Sequence, residues 1–341
     1  MRVLIVHHEP RYYGGAEVLL GNFVAALSRA AVGVTVALAR ESPLADAVPA
    51  PAALIRLPVN EKFSPTKFGA QLKVLVRGEH SGDFDVVHGW AARDWELAAA
   101  AAKWKRRPAI GTLHDHPRAA YLSTHRRTLM RLVANYALDR LACPSEAVRA
   151  ACVEAGYAPR KLAVLHNGIP IPAAAVRGDR SGRVRLGFLG VFSEGKGMIG
   201  LLEMADRLEV SHPDAWELHI AGTAQTAAAE HLVAEIRARY SARTWWPRVR
   251  WRGWAEDQTA FLREIDVLVC PFMQFEAFGL VVCEAAAASV PVVATRMGAI
   301  PEIVEDGRTG WLFTAGQWRD GARIIGDLID DPRKRVTAGE A

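Results

Sequence analysis

The chain has no apolar run of the roughly 18 residues that a membrane-spanning helix needs, although half of its residues are hydrophobic. Its opening stretch, Met1-Arg-Val-Leu-Ile-Val6, runs directly into His7, His8 and Glu9. That is too short for the core of a signal peptide, so it predicts a first strand and a cytoplasmic protein. Cysteine is scarce. The four thiols, Cys143, Cys152, Cys270 and Cys283, show no Cys-x-x-Cys spacing, which excludes a disulfide framework or a thiolate metal site and predicts reduced core residues. There is no short repeat, no low-complexity tract and no Gly-x-Gly-x-x-Gly dinucleotide fingerprint. The net charge is a modest +5. An acidic ligand or an anionic surface would suit that balance, and nothing in the basic runs supports nucleic acid as a partner.

What is present is alternation. Short apolar runs at Val3–His8, Val34–Ala39, Leu54–Pro58, Val86–Trp90, Ile110–Leu113, Leu141–Pro144 and Val164–Asn167 read as strands. Between most of them lie amphipathic or alanine-rich stretches, such as Thr128–Arg140 with Leu129, Leu132, Val133 and Tyr136 on one stripe. The pattern restarts at Arg185–Gly190, Leu218–Gly222, Val249–Trp254, Val267–Pro271, Val290–Thr295 and Trp311–Phe313. A length of 341 residues suits two domains with separate cores. Prolines, glycines and small residues mark a linker over 171–183. The expectation is an α/β protein with a first doubly wound domain over 1–170 and a second over 184–341. Two Rossmann-like domains would face a central cleft, with ligands beyond the C-terminal strand ends.

The most informative segment is Glu276-Ala-Phe-Gly-Leu-Val-Val-Cys-Glu284. Phe278-Gly279-Leu280 reads as a turn opening a helix, whose free N–H groups and positive dipole end suit a phosphate. A carboxylate on either side repels phosphate but accepts hydrogen bonds from hydroxyls. A nucleotide sugar has that layout, with phosphates in the middle and hydroxyls at both ends. Solvated surface charge is the competing reading of two glutamates eight apart. Gly14-Gly15-Ala-Glu17 follows the first strand and opens a helix, which by itself describes a tight turn. Gly190-Val-Phe-Ser-Glu-Gly195-Lys196-Gly197 fits the start of a phosphate-binding P-loop, but Gly197 stands where that loop needs the Ser or Thr hydroxyl.

These segments, in this order, resemble the retaining glycosyltransferases of glycosyltransferase family 4. The likeness is densest over Val267–Phe313, where Glu276-x7-Glu284 is followed by the Ser289-Val-Pro-Val-Val-Ala-Thr295 strand and by Gly298-Ala-Ile-Pro-Glu302. The resemblance implies the GT-B fold and a nucleoside diphosphate sugar, UDP- or GDP-linked, as donor to a sugar, lipid-linked or small-molecule hydroxyl acceptor. It implies retained anomeric configuration, no cofactor and no required metal. It places Lys196 and the Gly279-Leu280 amides at the diphosphate, beside Phe278, with Glu284 on ribose hydroxyls and Glu276 on the transferred sugar. Gly14 and Gly15 would lie on the acceptor side, Gly15 also reaching the donor phosphate. His114, at a strand end in Gly-Thr-Leu-His-Asp, would face the sugar. Lys196, Glu276 and His114 are therefore the catalytic candidates. Two departures stand out: Val191 occupies the position of a phosphate-binding arginine, and Pro170 replaces an aspartate in His166-Asn167-Gly168-Ile-Pro170. Relatives also continue beyond Ile324–Ile329 into a crossover helix that is expected to be absent here.

Asp83-Phe-Asp85 has the form of a metal-binding Asp-x-Asp, but at the start of a buried strand it reads as solvated carboxylates. Lys103-Trp-Lys-Arg-Arg107 and His125-Arg-Arg127 with Arg131 form basic patches. They read as solvated helix faces, with peripheral docking on anionic lipid at the inner membrane face as the alternative. Three rival functions share parts of the pattern. They are a sugar-nucleotide epimerase of the same fold, a P-loop nucleotidase disfavoured by Gly197, and a non-catalytic sugar-nucleotide binder suggested by Val191.

Overall fold

The structure is a computed structural model describing residues 1–8, 14–46, 48–59, 64–78, 84–172 and 182–341. It divides into two compact units, Met1–Gly168 and Ile169–Ala341. Asp83 and most of the expected linker, 173–181, lie outside the described residues.

The first unit is built on seven parallel strands: β1 Arg2–His7, β2 Gly33–Ala39, β3 Ala53–Leu57, β4 Val86–Gly89, β5 Ala109–Thr112, β6 Arg140–Cys143 and β7 Leu162–Val164. Their order is β3-β2-β1-β4-β5-β6-β7, the doubly wound order that reverses between β1 and β4. Val3, Leu4, Ile5 and Val6 are all buried, as expected of a strand covered on both faces. The helices are α1 Gly15–Arg29, α2 Pro65–Arg77, α3 Trp95–Lys105, α4 Thr124–Tyr136 and α5 Glu146–Glu154. The alanines of α3 let it lie close on the sheet, with Ala98, Ala101 and Ala102 buried. Its first residue, Trp95, is fully buried and donates from Nε1 to the Thr112 carbonyl at 3.1 Å. A Cβ at Gly111 would sit 2.8 Å from that indole, so glycine in β5 makes the room.

The second unit repeats the plan with six parallel strands: β8 Val184–Leu189, β9 Trp216–Ala221, β10 Val249–Gly253, β11 Val267–Cys270, β12 Val292–Thr295 and β13 Gly310–Phe313. The order is β10-β9-β8-β11-β12-β13, reversing between β8 and β11. Its helices are α6 Met198–Ser211, α7 Ala227–Tyr240, α8 Gln258–Glu264, α9 Leu280–Ala287, α10 Ile300–Ile303, α11 Trp318–Asp330 and α12 Pro332–Glu340. One core, under α6, α7 and α11, is filled by Trp216, Tyr240, Trp245 and Phe313. The other, under α8 and α9, is filled by Phe261, Leu262, Val282 and Ile300. The last helix packs back on this unit, where a Cβ at Gly339 would meet the Ser289 carbonyl at 2.2 Å.

Three expectations differ from what is observed. The seventh strand lies two to three residues earlier than Val164–Asn167, because Leu165 continues only as a single bond to the Cys143 carbonyl. In α4 the buried residues are Met130 and Ala134, while Leu129, Leu132 and Tyr136 are exposed, so the stripe read from the sequence faces outward. The His125–Arg127 patch is partly engaged: Arg126 is bound to Glu96 and the Ala92 carbonyl, and Arg127 donates to the Ala119 carbonyl at 2.9 Å. The thiols are free, and Cys143, Cys152 and Cys270 are buried. No described helix is long and apolar enough to cross a membrane. Asp85 accepts from the Arg2 amide at 2.7 Å, which ties β1 to the start of β4.

Candidate functional site

In each unit a cluster of polar groups gathers at the C-terminal strand ends beside the switch point, where the doubly wound arrangement leaves room for a ligand.

In the second unit the loop after β8 ends in a single helical turn, Glu194–Lys196, capped by Ser193, whose Oγ accepts from the Lys196 amide at 3.3 Å. Gly197 then enters α6 with φ +76°, and a Cβ there would lie 1.7 Å from the Pro271 carbonyl. Only glycine fits both the dihedral and the contact. The Gly195 carbonyl accepts from Met273 at 2.9 Å and Gln274 at 3.3 Å. This turn is thus stitched to the segment after β11, which sets Lys196 beside Glu276. Lys196 Nζ donates to Glu276 Oε2 at 2.7 Å and lies 4.9 Å from the centre of the Phe272 ring.

Glu276 is fixed from below as well. Its carbonyl accepts from Ala299 at 2.9 Å, and a Cβ at Gly298, where φ is +55°, would fall 2.1 Å from that oxygen. Three residues on, Gly279 opens α9 with no side chain capping it, which leaves the first amides of that helix turned to solvent or a ligand. Phe278 is buried and Leu280 half-buried, so they form the apolar seat of this turn. Glu284 lies one turn into α9. Burial pushes its carboxyl up to about 7, and the Gln258 amide, assigned with its nitrogen toward the carboxylate, lies 3.0 and 2.9 Å from its two oxygens. Lys196, Glu276, Phe278, Gly279, Leu280 and Glu284 therefore lie along one connected edge of the second unit. Val191, at the position read as arginine in relatives, is half-buried.

In the first unit, Gly14 and Gly15 lie at the start of α1. The Gly14 amide donates to Glu17 Oε2 at 2.8 Å, closing a capping interaction of the kind that satisfies an orphan amide. Glu17 is itself buried and faces His7 Nε2 at 3.3 Å from Oε1. The other nitrogen of His7 is 3.1 Å from Asp94 Oδ2, and Asp94 also accepts from the amides of His8 at 3.0 Å and Ala91 at 2.8 Å. Burial alone would lower the His7 pKa, but the charges and hydrogen bonds of Asp94 and Glu17 outweigh it and hold it up to about 10. Burial also opposes ionisation of Asp94, and the two histidines overcome it, keeping that carboxyl well below its usual range. Here is a buried imidazolium between two carboxylates.

His114, at the end of β5, packs on Trp90 with ring centres 4.9 Å apart. Burial, and then the nearby His7 charge, push it down to about 4, against a hydrogen bond to the Trp90 backbone. It is therefore a neutral ring at neutral pH, and its Nε2 is buried without a partner. His88 hydrogen-bonds Thr112 Oγ1 at 2.8 Å and is pushed down to about 3 by burial and then by His114. That bond ties it into the sheet, as a structural histidine.

His7, Asp94, Trp90 and Gln258 were not singled out from the sequence. Each meets its partner across tens of residues or more, apart from His7 and Glu17, so no local spacing announces it. The one available signal was that His7 and Trp90 each end or follow a strand at the switch point. Among the described residues there is no group of three or more His, Cys, Asp or Glu arranged to hold a metal.

The second unit matches the family described as "Glycosyl transferases group 1" over residues 183–331, and the first matches "Glycosyltransferase Family 4" over residues 13–171. The chain is similar to an MMP alpha-(1->4)-mannosyltransferase of Mycolicibacterium hassiacum, 26% identical over 74% of this chain and 58% of that one. It is 28% identical to a phosphatidyl-myo-inositol mannosyltransferase of Mycobacterium leprae, over 82% of this chain and 73% of the relative. A D-inositol 3-phosphate glycosyltransferase of Arthrobacter sp. is 41% identical over 87 residues, only 20% of its length. The chain thus spans between about a fifth and three quarters of the length of these relatives. Among solved structures it resembles Anabaena Alr3699/HepE in complex with UDP and glucose, with a TM-score of 0.82 and 21% identity, over 99% of this chain and 92% of that one. It also resembles sucrose-phosphate synthase from Thermosynechococcus elongatus, with a TM-score of 0.79 and 18% identity over 99% and 92%.

Proposed function

The chain belongs to the glycosyltransferases of the group 1 and family 4 type and has their GT-B fold, and from that membership we propose that it transfers a sugar from a nucleoside diphosphate sugar to a hydroxyl acceptor with retention of configuration. The observation that carries this reading is the edge of the second unit: a lysine paired to Glu276 at 2.7 Å, the uncapped start of α9 and Glu284 one turn further on. It offers positive charge for a diphosphate between two acceptors for hydroxyls. Lys196 and the first amides of α9 would stabilise the charge that develops on the departing diphosphate. Glu276 would hold hydroxyls of the transferred sugar, and Glu284 those of the ribose. His114, neutral and with Nε2 unpartnered, would accept a hydrogen bond from a sugar hydroxyl. Similarity to a protein solved with UDP and glucose and to mannosyltransferases supports a UDP- or GDP-linked hexose as the donor class.

We further propose that turnover needs no divalent metal, since a cation and free helix amides already face the diphosphate position. The test is release of UDP or GDP across a panel of nucleotide sugars and hydroxyl acceptors, with and without excess chelator. Acceptor-dependent release that survives EDTA is the expected result. Conversion of a donor with no acceptor present would move the reading to an epimerase. Loss of activity in EDTA with recovery on adding Mn²⁺ would overturn metal independence.

A further inference from the structure

Gln258 is the first residue of α8. The preceding Asp257 caps this helix, its Oδ1 accepting from the Ala260 amide at 2.9 Å. The side chain of Gln258 crosses to α9, where the end of its amide, assigned as Nε2 so that a donor meets the carboxylate, lies 3.0 Å from Glu284 Oε1 and 2.9 Å from Oε2. The crossing is set by packing: Phe261 and Leu262 of α8 share a core with Val282 and Ala285 of α9.

A carboxylate offers about four lone-pair sites, two on each oxygen, and a primary amide has two N–H donors. A single nitrogen about 3 Å from both oxygens aims one N–H between them, so that Gln258 shares one donor across the two inner lone pairs and leaves the outer one on each oxygen. Each outer site can accept from one hydroxyl. A cation in the place of Gln258 would also orient Glu284, but it would draw charge from the carboxylate and weaken its hold on hydroxyls. A neutral amide orients without competing.

We propose that Gln258 is the positioning residue of Glu284, aligning its carboxylate so that a free lone pair is presented to a ribose hydroxyl of a nucleoside diphosphate. This rests on the reading of the second unit as the donor site. The groups around Glu284 leave the task to Gln258. Burial accounts for the upward push on Glu284, with no charged side chain contributing among the described residues. The titratable neighbour is Cys283, whose thiol burial and then the Glu284 charge push up to about 11, so it is neutral and supplies no countercharge. Donation by Gln258 to both oxygens favours the ionised form that can accept from hydroxyls. Its loss moves protonation of Glu284 to higher pH.

The experiment is calorimetric titration of UDP, GDP and their 2′-deoxy counterparts into the full chain between pH 6 and pH 9, for wild type, Gln258→Ala, Gln258→Glu and Glu284→Gln. In wild type the better ribonucleotide should bind about 10-fold or more tighter than its 2′-deoxy form, the scale of one hydrogen bond to a charged group. Its affinity should rise with pH through a midpoint at or below neutrality, because donation by Gln258 offsets part of the upward push of burial. Gln258→Ala should raise that midpoint by about one pH unit and cut the ribose preference several-fold. Gln258→Glu, which sets a second carboxylate against the first, should raise it further. Glu284→Gln should abolish both the pH dependence and the ribose preference. Wild-type midpoint and ribose preference in both Gln258 variants, with Glu284→Gln defective, would overturn the role of Gln258 alone. A Glu284→Gln protein that binds as wild type does, or a wild type that binds neither diphosphate, would overturn the donor-site reading itself.

Discussion

At the scale of the residue, the pairing of Lys196 with Glu276 decides how each can be tested. Both were legible in the sequence, one from a glycine-rich turn and one from the Glu-x7-Glu spacing. Their contact was not, because it depends on how the turn after β8 is stitched to the segment after β11, 80 residues on. A diphosphate taking Lys196 as partner competes with Glu276. Lys196→Ala should therefore lower affinity for both intact donor and free nucleoside diphosphate by about 30-fold, since a charge-assisted hydrogen bond is worth up to ~2–3 kcal/mol. Glu276→Gln should separate the two ligands. Intact donor should weaken about 10-fold or more, while free nucleoside diphosphate, which has no sugar and meets an unpaired lysine, should bind as well as before or a few-fold tighter. Calorimetry with both ligands checks this, and equal losses for the two ligands in Glu276→Gln would show that the carboxylate does not address the sugar. Arg296 is a poor substitute for Lys196, being paired with Asp306 at 2.6 Å. Wild-type diphosphate binding in Lys196→Ala would nonetheless hand the role to another cation.

At the scale of the element, twelve of the thirteen strands are where the apolar runs put them, most of them because strands buried on both faces read as continuous Val, Ile and Leu; β10, Val-Arg-Trp-Arg-Gly, has no buried residue. The exception, β7, is a three-residue edge strand in a four-residue apolar run, Leu162–Leu165, that the expected range entered only at its end. The outward face of α4 was misread for another reason: a stripe of Leu and Tyr predicts burial only if something covers it. Least legible was the cluster joining β1, α1 and α3 through His7, Glu17 and Asp94, since a buried charge has no sequence period. It has a thermodynamic signature. The His7 pKa is raised to about 10 in the folded state against an ordinary value near 6.5. Its contribution to stability is thus full below about pH 6.5 and is lost as pH rises through about 10, because only the folded state holds the proton in that window. On the acid side, the lowered values of His114 and His88 work in the opposite sense, and stability falls as pH drops below about 6.5. Thermal unfolding of the wild type should therefore show a midpoint that declines steadily between pH 7 and pH 10. His7→Gln should lose that alkaline decline while being less stable at pH 7 by roughly 3–5 kcal/mol, the cost of leaving a buried charge without its partner. A His7→Gln protein whose midpoint falls with pH as steeply as the wild type would show that the buried proton is not on His7.

At the scale of the whole molecule, the two units carry the same doubly wound plan but different kinds of polar cluster. The first holds its charge internally: His7, Glu17 and Asp94 are all buried and satisfy one another, leaving the neutral His114 ring with an open nitrogen. The second presents its charge at an edge, with Lys196 about a third exposed and the amides of α9 uncapped. That division argues for separable tasks, with nucleotide binding belonging to the second unit alone. Each unit has its own buried core and a complete sheet, and at about 170 residues each is large enough to fold independently. Residues 182–341 expressed alone should give a cooperative unfolding transition and bind UDP or GDP within about 3-fold of the full chain, the same diphosphate being preferred by both. The fragment should show no acceptor-dependent transfer, because Gly14, Gly15 and His114 are absent from it. Calorimetry on the fragment and the full chain, with Lys196→Ala made in each, checks the claim. The substitution should cost the same factor in both proteins if the diphosphate is held by the second unit. A folded fragment that binds no nucleotide would mean that groups of the first unit complete the binding site, and that Lys196, Glu276 and Glu284 do not suffice for it.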